Sequence, residues 1–257
     1  MHELVHDAWD LYDRAESQAH VVRPSIPILF FGDSEAYKHS GRRIVTVGLN
    51  PSRVEFPEGE PFRRFPVAAS LRGTTRLTGF YDRYLQALNQ YFNLDPYSAW
   101  FGTFEPLLAG LRCSFYRGSR DAALHTDLCS PLATDPTWSK LSGAQRAGLE
   151  QGGVTLWHRL ITYLQPQVIL MSVARRHLSK IRFAVLTNWR TIYELERDNP
   201  YELQHCLLDI GSGRQSHLIF GQAAQKPFGT VSHANKFDIG QRLAERLLDA
   251  TKGAVNS

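Results

Sequence analysis

Apolar runs rich in β-branched residues alternate along this chain with amphipathic stretches, a pattern that predicts a sheet layered with helices. Glu3 to Gln18 has helix-forming composition, and Pro24 and Pro27 close it, so residues 1–25 form an N-terminal helical segment. Ile28 to Phe31 has the character of a short strand. Ile44 to Val47 is bounded by Arg42 and Arg43 before and by Gly48-Leu-Asn-Pro-Ser52 after. Such a run reads as a buried parallel strand entering a tight loop. Arg53 to Thr75, rich in Pro, Gly and Arg and without a period, is a long loop of the kind that carries function. Phe80 to Phe92 is an amphipathic helix whose aromatic stripe belongs in a core.

Further along, Ala122 to Cys129 predicts a second core strand and Ser130 to Ser142 another long loop. A helix over Gly148 to Leu164 stops at Pro166. Gln167 to Val173 is the clearest buried strand, and it leads into a basic helix start at Ala174 to Lys180. Residues 189–220 read as two or three β segments joined at Asp198-Asn-Pro200 and Gly211-Ser-Gly213, both turn signals. Gly229 to His233 gives a last short strand and Ile239 to Leu248 a closing amphipathic helix. Strand and helix in alternation argue for α/β architecture, a three-layer α/β/α sandwich with a mostly parallel central sheet. No repeat or linker divides residues 1–257, so a single domain is expected, with 189–220 as a β extension.

Composition changes little. A chain of 257 residues, 43% hydrophobic and 21% charged, can bury a full core. No apolar run is long enough to cross a bilayer, and the N-terminus has no basic-then-apolar leader pattern, so a cytoplasmic monomer is expected. Cys113, Cys129 and Cys206 are scattered and read as reduced core thiols. His2 and His6 have helical spacing but no third ligand, so neither metal nor cofactor is expected. The net charge of +4 is mild. Its placement is more telling, because Arg42, Arg43, Arg53, Arg63, Arg64, Arg72 and Arg76 surround the first strand and its loop. Such a cluster suits phosphate neutralisation and points to DNA as a partner.

In open α/β sheets ligands sit beyond the carboxyl ends of the strands, which is where Asn50 stands, in a loop stiffened by Pro51. The plainer reading of Asn-Pro is a turn. Three patches taken together resemble the uracil-DNA glycosylase superfamily. Gly48-Leu-Asn-Pro-Ser52 is similar to its first active-site motif, and Gly59-Glu-Pro-Phe62 to the patch whose ring stacks on the extruded base. Val231-Ser-His-Ala-Asn-Lys-Phe237 stands in the place of its second catalytic motif, departing from His-Pro-Ser.

The resemblance implies a uracil-DNA-glycosylase-like fold and a hydrolase that flips a base out of DNA and leaves an abasic site. Asn50 would orient the attacking water and His233 would donate a hydrogen bond to the departing base. A phosphate contact or a core position is the other reading of His233. Phe62 would stack on the base, with Phe56 and Phe65 as competitors. Ser52, Arg53, Arg63, Arg64, Asn235 and Lys236 would contact DNA, and Lys236 or Phe237 would wedge into the duplex.

Asp127, in Leu124-His-Thr-Asp127, matches a position where relatives carry a uracil-reading Asn. A carboxylate accepts from a cytosine N4 amine but cannot donate to uracil O4. Capping of the following loop is its plainer role. The expected substrate is therefore a modified cytosine-type base, as in the prokaryotic antiphage glycosylases that excise glucosylated hydroxymethylcytosine. A uracil or mismatch glycosylase and a non-catalytic DNA-binding relative are the alternatives.

Overall fold

The computed structural model describes residues 1–71, 79–196, 200–223 and 226–249. Arg72, Arg76 and the first two residues of the turn expected at 198–200 lie outside them. The described helices are α1 (His2–Ala15), α2 (Ser34–His39), α3 (Phe80–Asn89), α4 (Ser98–Phe101), α5 (Glu105–Gly110), α6 (Gly143–Leu164) and α7 (His233–Leu243). The strands are β1 (Ile44–Gly48), β2 (Cys113–Ser114), β3 (Asp121–Asp127), β4 (Val168–Met171), β5 (Ala184–Val185), β6 (Arg190–Leu195), β7 (Tyr201–Asp209) and β8 (Gln215–Gly221).

The chain clusters into two compact units. The first comprises Met1–Ser34, Gly48–Tyr97 and His125–Tyr163; the second comprises Glu35–Val47, Ser98–Leu124 and everything from Leu164 on. The division falls inside β1 and β3, whose last residues belong to the first unit.

The fold is mixed α/β. One eight-stranded, mostly parallel sheet runs in the order β2-β3-β1-β4-β8-β7-β5, with β6 paired to β7. β1 lies parallel to β4 with Ile44 opposite Val168, and β4 lies parallel to β8. Every residue of β1 and β4 is buried, as expected of strands covered on both faces. β5 and β6 each pair antiparallel with β7, and β7 pairs antiparallel with β8. Strand order reverses at β1, which has the later strands β3 and β4 on its two sides.

In the second unit α7 buries Lys236, Ile239, Gly240 and Leu243, one face at i, i+3, i+4 and i+7 spacing. That face meets α5 where Gly110 and Gly240 oppose each other so closely that a Cβ on either would strike the other helix's backbone.

Several sequence expectations are corrected. Ile28–Phe31 forms no strand; Phe31 makes only an isolated bridge to His125. The segment 229–233 is not a strand but a turn into α7, because the Ser232 side chain accepts the Asn235 amide and caps the helix. The basic segment after β4 is a 3-10 turn over Arg175–Lys180. The third β segment of 189–220 is no extension, since β8 sits in the parallel part of the sheet. The aromatic stripe is core as expected, with Phe80, Tyr84, Tyr91 and Phe92 buried. All three cysteines are free and buried. Among the described residues no helix is long and apolar enough to cross a membrane.

Candidate active site

Asn50 stands two residues past the end of β1, and the loop that carries it is stitched to the end of β3 within the first unit. Leu128 N–H donates to Gly48 O at 3.1 Å, and Cys129 N–H donates to Leu49 O at 2.9 Å. Gly48 is required here: a Cβ would stand 2.5 Å from Asp127 Oδ1 and 2.9 Å from His125 Nε2, closer than side chains tolerate. The structure thus brings the Asn50 loop against Asp127.

The Asn50 amide is locked. Its Nδ2 donates to Pro51 O at 2.6 Å, Thr134 Oγ1 at 2.9 Å and Leu132 O at 3.3 Å. Two of these are carbonyls, which can only accept, so the amide orientation is fixed by chemistry. The carbonyl oxygen Oδ1 is left without a partner among the described residues, an acceptor held still. Thr134, fully buried, is a positioning residue that the sequence did not single out.

Asp127 is 8% exposed, and its carboxylate receives no hydrogen bond among the described residues. Its Oδ1 lies 3.7 Å from His125 Nε2, an ion pair when that ring is protonated and too long for a hydrogen bond. Buried polar groups are almost always paired within a protein, so an acceptor left open marks a place where a ligand or water completes the set.

The site holds a second buried carboxyl. Glu55, in the 3-10 turn Arg53–Glu55 that Ser52 caps, is 4% exposed. Tyr91 Oη donates to its Oε2 at 2.6 Å and itself receives the Tyr97 amide at 3.0 Å. Arg64 Nε lies 3.8 Å from the same oxygen. Burial lifts the Glu55 carboxyl to about 7, against the pull of Tyr91 and Arg64, and the charge of Asp127 adds to the rise. Oε1 has no partner among the described residues. Sequence offered no signal for Glu55, one acid in a run of arginines.

The three candidate rings separate by burial. Phe56 and Phe65 are fully buried, stacked on each other with centroids 5.5 Å apart. Phe62 meets Phe56 edge-on at 6.3 Å and is half-buried, so it alone of the three keeps surface for stacking.

The arginines also divide. Arg53 faces solvent, paired with Asp135 at 3.2 Å, and Arg63 pairs with Asp95 at 2.8 Å while remaining 58% exposed. Exposed pairs of this kind are weak and exchange readily for phosphate. Arg64 corrects the expectation of a DNA contact. Its side chain is 14% exposed, and its guanidinium donates to Val54 O at 3.1 Å and Asp95 O at 2.6 Å.

The remaining candidates lie in the second unit. His233 is the exposed first residue of α7, and Asn235 is half-buried two residues beyond it. Lys236 is a second correction: it is 2% exposed, and its Nζ donates to Thr103 O at 2.8 Å. It can neither wedge nor reach a phosphate, whereas Phe237 next to it is 42% exposed. No protein-family model, curated protein or solved structure matches this chain.

Proposed function

We propose that this protein is a DNA glycosylase of the uracil-DNA glycosylase type, with that superfamily's three-layer α/β/α fold, acting on a modified cytosine-type base. The observation that carries the reading is the buried Asp127 carboxylate, hydrogen-bonded by no side chain among the described residues and set against the loop of a fixed Asn50. An acceptor-only group suits a base edge that presents an amine, and cytosine N4 does so whereas uracil O4 does not. Relatives of the suggested kind excise glucosylated hydroxymethylcytosine from viral DNA, and that base is the specific substrate of the proposal.

In this mechanism Asn50 Oδ1 holds the attacking water. The water oxygen forms a bond to C1′, the C1′–N1 bond breaks with its electron pair departing on the base, and the proton the water releases ends on that base. Glu55, protonated, supplies the donor that cytosine N3 requires and that Asp127 lacks. Phe62 provides the stacking surface, worth about 1–3 kcal/mol per base. On the resemblance alone, His233 is the residue that would donate to the negative charge on the leaving base. Most of the rate enhancement comes from positioning and electrostatics, because a neutral Asn is no strong base.

The test is Asp127→Asn. Asn offers uracil both a donor and an acceptor, so the variant is expected to lose activity on the modified cytosine and gain uracil excision. The change should be on the order of 1–3 kcal/mol, or roughly tenfold to a hundredfold in rate. Matched oligonucleotides carrying uracil, cytosine, 5-hydroxymethylcytosine and its glucosylated form give the readout. Wild-type preference for uracil, or an unchanged preference in the variant, removes Asp127 from base reading.

The basic loop gives a second expectation. Charge reversal at Arg53 and Arg63 should lower the log–log salt slope of duplex binding by about 0.9 for each phosphate no longer neutralised. Arg64→Gln should leave the slope unchanged, since its guanidinium points inward. Equal slopes for all three variants would show that the loop does not face phosphates.

A further inference from the structure

The second unit contains a cavity of about 390 Å³ between β6 and the carboxyl-terminal half of α7 with the π-helix Ala244–Asp249 that continues it. Three guanidiniums border it: Arg190 on β6, Arg242 on α7, and Arg246 one turn later on the same face. Leu243 and Leu247 contribute an apolar floor, and Tyr193 a wall. None of the glycosylase residues belongs to it.

Each arginine is held by one edge and left open at another. Arg242 Nε is paired with Asp238 at 3.0 Å, and its guanidinium lies over the Tyr193 ring at 5.5 Å. Arg246 Nη1 donates to Ile192 O at 3.0 Å. Arg190 Nε donates to His205 Nδ1 at 3.3 Å, which obliges that nitrogen to be unprotonated. The ring's other nitrogen, Nε2, is then the donor to His217 Nδ1 at 2.9 Å. Burial pushes His205 down to about 4, with His217 and Arg190 adding to the effect, so the chain of bonds stands intact at neutral pH. Among the described residues, the terminal nitrogens of Arg190 and Arg242, and Nε and Nη2 of Arg246, have no acceptor.

Among the described residues no acidic side chain lines the cavity. Asp238 offsets Arg242, whereas Arg190 and Arg246 have no carboxylate partner among the described residues, and an anion bound among the three guanidiniums relieves the remaining repulsion. Guanidinium forks match phosphate oxygens in geometry as well as charge. The volume falls at the small end of ligand pockets, about 300–1,000 Å³, too small for a duplex and adequate for one nucleotide.

We infer that this cavity is a phosphate-binding site that takes a single nucleotide unit, its phosphate on Arg190, Arg242 and Arg246 and its apolar body on Leu243 and Leu247. The unit is either a free nucleoside monophosphate or one residue of a single strand, and the shared chemistry is the phosphate ester. The site stands apart from base excision, because its readout is binding alone.

Titration calorimetry of the full chain with thymidine 5′-monophosphate, thymidine and a short oligothymidylate tests it. The monophosphate should bind and thymidine should not. Arg242→Gln together with Arg246→Gln should weaken monophosphate binding by about tenfold or more, as expected when charge-assisted bonds are removed. Arg190→Gln, which leaves α7 untouched, should act in the same direction and serves if the double variant melts early. Loss confined to the monophosphate identifies a free nucleotide, and a larger loss for the oligothymidylate identifies a strand. Unchanged affinity for both phosphate-bearing probes in folded variants, or equal binding of thymidine, overturns the inference.

Discussion

Asn50→Ala is expected to lower the single-turnover rate of base release by about a thousandfold, while the chain still folds and binds DNA. The reason is the division of labour within one amide. Nδ2 fixes the side chain on Pro51 O, Thr134 Oγ1 and Leu132 O, leaving Oδ1 as a rigid acceptor beyond the end of β1. Removing it deletes the water's anchor and strands three acceptors, a stability loss of about 1–2 kcal/mol. Thr134→Val keeps Asn50 but loosens its hold, so it should show a partial rate loss with little change in affinity for DNA. A variant at Asn50 that keeps most of its activity would end the glycosylase reading, since no other residue in the mechanism holds the water.

Glu55→Gln is expected to stabilise the protein above neutral pH and to reshape its pH profile. The folded carboxyl titrates near 7 rather than at its usual 4.5. Below about pH 4.5 it is protonated in both folded and unfolded chains and contributes no difference. Between 4.5 and 7 the fold retains a proton that the unfolded chain gives up. Stability therefore declines as pH rises through this window, by up to about 3 kcal/mol. Gln keeps the acceptor for Tyr91 without a charge to bury. Its melting temperature should match wild type near pH 4 and exceed it by roughly 5–10 °C at pH 8. In activity, the wild type should decline as Glu55 loses its proton near pH 7, and the variant, whose amide donates at all pH values, should lack that decline. Parallel melting curves for the two proteins from pH 4 to 8 would contradict the buried-carboxyl account. An unchanged alkaline limb would take Glu55 out of the reaction.

The sequence by itself determined the framework and one corner of the site. A β-branched run between charges and a Gly-Leu-Asn-Pro-Ser loop can only bury itself as an inner strand, and β1 with Asn50 at its end stands where expected. Asp127 was singled out by the resemblance, inside a segment, Ala122 to Cys129, whose apolar run predicts a core strand. The alternation of helices and strands fixed the α/β class because each element must cover an apolar face.

Tertiary structure decided what depends on neighbours distant in sequence. Glu55 reads as a surface acid until Tyr91 and Arg64 close over it. Lys236 reads as a DNA contact or a wedge, yet the i, i+3, i+4 and i+7 face it shares with Ile239, Gly240 and Leu243 carries it under α5. Gln215–Gly221 has the alternation of a hairpin strand, and only its pairing with β4 makes it part of the parallel sheet. Arg63 and Arg64 are adjacent and alike, but one faces solvent and the other the Glu55 carboxyl. A local pattern specifies which face of an element is apolar; the charge a buried group keeps is set by residues that only the fold brings beside it.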